Sequence, residues 1–157
     1  MSNSNSNYWT SSVMIDIDGT IANSEWRNNY PNKFDSDVII NDKPFLAMRD
    51  VVKSLSQYCR IVYMTGRKEM HRRATLNWLD MHTFPLYPEF DTLLFMRGND
   101  DNRAQELVKY DFYQSLIRQN QKVVLVIDDN NDVLEVFRHR NIPIIDSEAF
   151  TQFERSS

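Results

Sequence analysis

The stretch that decides the reading is VMIDIDGTIANSEW, residues 13–26. Three apolar residues, Val13, Met14 and Ile15, run straight into Asp16, and Asp18, Gly19 and Thr20 follow. An extended chain alternates its side chains, so residues i and i+2 start on the same side. Asp16 and Asp18 would then repel whenever both are ionised, unless a cation lies between them or one carries a proton. A buried strand that delivers two carboxylates to its mouth is therefore expected to end in a site.

Working outward, strand-like and helix-like segments alternate. SSVMIDI (11–17), RIVYMT (60–65), TLLFMR (92–97), KVVLVID (122–128) and IPIID (142–146) read as strands. KPFLAMRDVVKSLSQY (43–58), KEMHRRATLNWLDMH (68–82), NRAQELVKYDFYQSLIRQ (102–119) and NDVLEVFRHR (131–140) read as helices, the first with Phe45, Met48, Val52 and Leu55 at helical spacing. SEAFTQF (147–153) reads as a final helical turn. Strands that are apolar throughout, separated by helices, imply a parallel sheet covered on both faces. Sites in such sheets lie outside the carboxyl ends of the strands. The residues there are Asp16 to Thr20, Thr65-Gly66-Arg67, Arg97, and Asp128-Asp129. TIANSEWRNNYPNKFDSD (20–37) has no period and is rich in Asn, so it reads as a loop or flap. No interval is long enough for a separate capping domain, so the site is expected to be open.

The 157 residues suit one domain, expected at 11–155 behind a disordered Ser/Asn lead at 1–10. A net charge of −4 argues against a broad basic nucleic-acid-binding surface. A local basic run, Arg67, Lys68, Arg72 and Arg73, could still attract phosphate. Cys59 stands alone, and His71, His82 and His139 lack metal-ligand spacing. Neither a membrane-length apolar run nor a secretory leader is evident, so a cytoplasmic protein is expected. Trp78 and Phe112 read as core. Trp26, Tyr30 and Phe34, in the flap, are candidates for stacking on a nucleobase.

Chemistry narrows the reading. Asp128 and Asp129 bring a second acidic pair, with Asp132 nearby. Oxygen ligands without histidine suit Mg²⁺, held by Asp16, Asp18, Asp128 and Asp129. Asp16 is placed to attack phosphorus and form an acyl-phosphate. Asp18 is placed as general acid and base, which calls for a raised pKa. Lys109 and Thr65 would hold phosphoryl oxygens, Thr20 joins them as a candidate, and Gly66 would let backbone N–H groups approach. Phosphate monoesters need accelerations of up to about 10²¹. One proton donor supplies only about 10² to 10⁴, so a complete set of groups is expected.

DIDGT, VYMTGR, Lys109 in LVKYD, and VIDDNND resemble, in order, the four motifs of the haloacid dehalogenase phosphatase superfamily. The resemblance implies a Rossmann-like α/β three-layer sandwich. Its five-stranded parallel sheet would have the order 5-4-1-2-3, with a short flap and no large cap. It also implies Asp16 as nucleophile, Asp18 as acid/base, Thr65 and Lys109 on phosphate, and Asp128 and Asp129 on Mg²⁺. The runs TGRKEMHRRATLNWL, LFMRGNDDNRAQELVK and VIDDNNDVLEVFRHRNI are similar to the 3′-phosphatase domain of phage-type polynucleotide kinases. That likeness implies roles for Arg27, Arg67 and Arg97 at the site, and host cytoplasm for a phage-encoded chain. Family members tend to carry an acid four residues before the motif lysine, where this chain has Gln105. No Gly-rich Walker loop occurs, so a kinase half is not expected in this sequence.

The leading expectation is removal of a 3′-phosphate from a DNA or RNA end. A nucleoside or deoxynucleoside 5′-monophosphatase is the second. A receiver-like phospho-acceptor module would carry its phosphorylated Asp at the end of the third strand, where TLLFMRG offers none. An idle binding scaffold would not need both Asp16 and Asp18.

Overall fold

The two faces of the central strand set the architecture. The structure, a computed structural model, describes residues 10–83 and 92–155. In chain order its elements are β1 (Ser11–Asp16), β2 (Ala22–Asn23), α1 (Ser36–Ile39), β3 (Lys43–Pro44), α2 (Leu46–Ser56), β4 (Arg60–Lys68), α3 (Arg72–His82), β5 (Thr92–Arg97), α4 (Gln105–Arg118), β6 (Lys122–Asp128), α5 (Asn131–Arg138), β7 (Ile144–Asp146) and α6 (Glu148–Arg155). Val13 and Ile15 of β1 pack on one side with Ile61, Tyr63, Met48, Val52, Trp78 and Leu79. Met14 packs on the other with Val62, Met64, Val126, Leu116, Val133 and Phe137. Both faces are therefore covered, α2 and α3 on one and α4 and α5 on the other, as apolar parallel strands require.

The large sheet has the order β5-β4-β1-β6-β7, and all its pairings are parallel. Counting only these five strands in chain order and starting from the β7 edge, that is 5-4-1-2-3. The chain first builds outward from β1 through β4 to β5, then crosses back to β6 and β7. The switch of direction opens a crevice above the carboxyl end of β1.

Several boundaries differ from expectation for identifiable reasons. The helix expected at 43–58 begins at Leu46, because Lys43 and Pro44 pair antiparallel with Asn23 and Ala22. Its first turn is closed by a distant side chain: the Glu154 carboxylate accepts from the Leu46 and Ala47 N–H groups at 2.7 and 3.1 Å. The second sheet strand runs on to Lys68 through a register break, pairing Thr65 with Met96 and then Lys68 with Arg97. The break takes Gly66 and Arg67 out of the ladder beside the crevice. The segment at 20–37 is more than a loop: it holds a 3₁₀ turn at Glu25–Arg27 and runs into α1. The final turn is the eight-residue helix α6. Residues 1–9 of the expected lead lie outside the described residues. No described helix is long and apolar enough to cross a membrane.

Candidate active site

Asp16 closes β1 and Asp128 closes β6, the adjacent strand. Carboxylate oxygens of Asp16, Asp128 and Asp129 all lie within 4.8 Å of one another. Lys109, fully buried on α4, donates to Asp16 Oδ1 at 2.8 Å and to Asp128 Oδ2 at 2.6 Å. Asp128 is also held from behind, where its Oδ1 accepts from the Asn130 N–H at 2.9 Å. Asp129 lines the cavity above. One ammonium thus serves two of the three carboxylates. Burial first, then the Asp128 charge, pushes the Asp16 carboxyl well above its ordinary range, and the same causes raise Asp129. The Lys109 ammonium loses solvation on burial, yet Asp16 and Asp128 outweigh this and raise its pKa.

The turn after Asp16 sets the rest. Ile17 O accepts from the N–H groups of Thr20, Ile21 and Ala22 at 3.1, 3.0 and 2.9 Å. The chain therefore leaves the extended conformation at once, and Asp18 does not stay beside Asp16 as strand alternation suggested. Its carboxylate instead meets two arginines. Arg27 Nη2 donates to Oδ1 at 2.7 Å, and Arg67 donates through Nη2 to Oδ1 at 2.6 Å and through Nε to Oδ2 at 2.9 Å. Asp18 therefore lies outside the acidic group, contrary to its expected place as a side-chain metal ligand. Its pKa is also the reverse of expectation. Burial raises it, but Arg67 and Arg27 outweigh burial and hold it at about 2.

Gly19 sits at φ +83°, and a Cβ there would lie 2.1 Å from Asp129 Oδ2. The glycine of DIDGT is thus needed twice, for its left-handed backbone and for the room it leaves to a carboxylate 110 positions on. Thr20 is fully buried: its hydroxyl donates to Asp16 Oδ2 at 3.0 Å and meets Ser147 Oγ at 3.1 Å. It orients Asp16 and does not line the cavity. Thr65 is buried, with Oγ1 accepting from the Arg67 N–H at 3.1 Å.

The cavity holds about 410 Å³ and is walled by Asp16, Asp18, Arg27, Gly66, Arg67 and Asp129, with Gln105, Lys33 and Phe34 at its sides. Of the three flap aromatics only Phe34 reaches it. Trp26 and Tyr30 stack edge-on against each other and remain about half exposed. Arg97 was expected at the substrate. Its Nε instead donates to the carbonyl of Gly66 at 3.1 Å and its Nη1 to those of Asp101 and Arg103 at 3.1 and 2.6 Å, so that it braces the loop. Arg72 is likewise tied to Glu69 and Leu94 O. Asp132 is exposed and outside the acidic group. Trp78 is core as expected, its indole N–H donating to Asp42 O at 2.9 Å.

Two residues had no signal in the sequence. Asp42 is buried against Arg27 and Arg67. Arg155, at the end of α6, donates to Gly19 O at 2.6 Å, pairs with Glu25, and stands 3.8 Å from Asp129 Oδ2.

This geometry can be set against known proteins. The family described as the polynucleotide kinase PNKP phosphatase domain matches residues 10–149. The chain belongs to that family. A protein of Autographa californica nuclear polyhedrosis virus named as a bifunctional polynucleotide kinase/RNA ligase is 32% identical over 139 residues. That match takes in 85% of this chain and 18% of the viral protein. Among solved structures, one from the Pnkp1/Rnl/Hen1 RNA repair complex superposes with a TM-score of 0.72 at 23% identity, over 87% of this chain and 42% of that one. The Class C acid phosphatase of Bacillus anthracis with tungstate bound gives 0.56 at 14% identity, over 88% and 67%. A haloacid dehalogenase-like hydrolase of Streptococcus pneumoniae gives 0.56 at 12% identity, over 85% and 82%. These likenesses carry the fold alone. The chain spans about a fifth of the viral relative and less than half of the repair-complex chain. As a member of the family it matches, the chain is a haloacid dehalogenase-type phosphatase domain.

Proposed function

We propose that this phosphatase domain removes the 3′-phosphate from a polynucleotide end through an aspartyl-phosphate on Asp16, with Mg²⁺ as cofactor. The observation that carries the reading is the convergence of Asp16, Asp128, Asp129 and Lys109 beneath a cavity that also receives Asp18. The donor set fits a hard divalent cation: it is all oxygen, and when ionised it keeps two negative charges beyond the one that Lys109 balances. Asp16 and Asp129 would hold the ion, and Asp128, with both oxygens engaged by Lys109 and Asn130, would hold those two in place. Bound there, Mg²⁺ supplies charge neutralisation for the phosphoryl group.

The chain's own residues account for the steps. Lys109 and Thr20 fix the Asp16 carboxylate, one on each oxygen, so that it faces the cavity in one orientation. Attack forms the bond from Asp16 oxygen to phosphorus and breaks the bond from phosphorus to the sugar oxygen, which takes a proton from Asp18. A phosphate dianion arriving beside Asp18 disfavours its ionised form, so the proton is taken up in the complex and not in the free enzyme. Asp18 then removes a proton from water as water displaces Asp16 from phosphorus, releasing inorganic phosphate. The hydroxyl of Thr65, whose oxygen already accepts from the Arg67 N–H, is left to donate to a phosphoryl oxygen.

The relatives, a protein named as a polynucleotide kinase/RNA ligase and a chain of an RNA repair complex, support nucleic-acid ends as the substrate class. The test is phosphate release from a 3′-phosphorylated oligonucleotide against a panel of 5′-mononucleotides, with and without Mg²⁺. Mg²⁺-dependent release from the oligonucleotide is expected. Activity confined to 5′-mononucleotides would replace this reading with a 5′-monophosphatase.

A further inference from the structure

Asp42 belongs to none of the four motifs and does not line the cavity, yet its carboxylate is the most heavily used acceptor near it. It is 1% exposed, between α1 and β3. Arg27 Nε donates to both of its oxygens, at 2.8 and 3.1 Å, and Arg27 Nη2 adds a third bond at 2.8 Å. Trp26 Nε1 donates at 2.9 Å and Arg67 Nη2 reaches it at 3.5 Å. The Asp42 carbonyl accepts from Trp78, whose ring is locked in the core, so the residue is anchored at both ends. Arg27 Nη2 and Arg67 Nε and Nη2 also donate to Asp18, while Arg27 Nη1 donates to Lys33 O at 2.9 Å and Arg67 Nη1 to Thr75 Oγ1 at 3.2 Å. Two carboxylates thus share two arginines. The buried one faces the core and the other, 28% exposed, faces the cavity.

A lone surface arginine would sample many rotamers and could leave Asp18 for a substrate phosphate. Here both arginine side chains are almost fully buried, and neither is free to do so. We propose that Asp42 is a positioning residue: it fixes Arg27 and Arg67 so that the Asp18 carboxyl is aimed at the leaving oxygen of the substrate. The proposal rests on the assignment of Asp18 as the proton carrier. It revises the part played by Arg27 and Arg67, which serve Asp18 first and the substrate only through it.

The discriminating variant is Asp42→Asn, which keeps the shape and one acceptor oxygen but removes the charge and sets an amide N–H₂ against arginine donors. Turnover of a 3′-phosphorylated oligonucleotide needs a proton on its alkoxide leaving group. It should fall about 10²-fold, the lower end of what a positioned proton carrier supplies, with KM little changed. The leaving group of 4-nitrophenyl phosphate departs without a proton. With that substrate the pre-steady-state burst of nitrophenolate should keep full amplitude, showing folded enzyme with a competent Asp16. Asp42→Glu should recover part of the lost oligonucleotide turnover. Wild-type turnover in Asp42→Asn overturns the inference. So does a burst amplitude that falls in step with the oligonucleotide rate, since that marks plain loss of folded enzyme. If the wild type itself turns over neither substrate, the assignment of Asp16 and Asp18 fails first and takes the inference with it.

Discussion

Gly19→Ala separates the placement of the acidic group from the stability of the fold. The added Cβ would stand 2.1 Å from Asp129 Oδ2 and 2.8 Å from its Cγ. Ordinary contacts begin near 3 Å or beyond, so the carboxylate must move by about 1 Å. Asp129 is a side chain at the cavity wall and can swing, which limits the cost to folding. The left-handed backbone at φ +83° adds about 1–2 kcal/mol for any residue with a Cβ. In a domain of this size each kcal/mol moves Tm by roughly 2–4 °C, so a fall of about 2–8 °C is expected in calorimetry. Function should suffer more. A displacement of about 1 Å in a group that sets reaction geometry can cost about 10²-fold, and the metal requirement should rise with it. The assay is oligonucleotide dephosphorylation across a Mg²⁺ titration, beside a melting curve. Turnover and Mg²⁺ half-saturation like the wild type, with the Tm drop present, would refute the view that the glycine makes room for a working Asp129.

Other expectations follow from the same contacts. Lys109→Met leaves Asp16 and Asp128 without their shared cation. Removing one partner of a buried ion pair costs about 3–5 kcal/mol, so Tm should fall sharply and recover in part on adding Mg²⁺. An unchanged Tm would show that the ammonium is not balancing them. Asp18 is held at about 2 in the folded chain, against about 3.9 for an unperturbed Asp. Its contribution to stability is present above the unfolded value and lost as pH falls through the folded one. The Tm gap between wild type and Asp18→Asn should therefore shrink from pH 5 towards pH 2, and a gap that stays constant would count against the arginine clamp. Arg155→Ala removes the hand that α6 lays on Gly19 O and Asp129. A partner of this kind is worth about tenfold or more in metal affinity or activity, so Mg²⁺ half-saturation should rise. No change in that titration would make α6 a bystander.

What the sequence made legible was whatever depends on pattern. Five apolar runs and the helical spacing between them specify a parallel sheet, and the strand ends then name Asp16, Thr65, Arg97 and Asp128. The motif lysine, expected on phosphate, reaches the site from α4 but is fully buried there, donating to Asp16 and Asp128 and not lining the cavity. Illegible were the contacts that close a turn or bridge distant segments. Strand alternation put Asp18 beside Asp16, but three N–H groups gather on Ile17 O and swing it towards the arginines. Asp42 and Arg155 act through partners 15 to 136 positions away, and no local spacing announces such a contact. The likeness to polynucleotide kinase 3′-phosphatase domains implies a place for Arg97 at the site. Its guanidinium meets three carbonyls before any substrate.

The most direct measurement is to mix the enzyme with an oligonucleotide carrying a radiolabelled 3′-phosphate, quench in acid, and map the label on the protein. A hydroxylamine-sensitive acyl-phosphate on Asp16, absent from Asp16→Asn although that variant folds and melts cooperatively, is the predicted result. Steady dephosphorylation by Asp16→Asn, or a label that maps to another residue, would contradict the account.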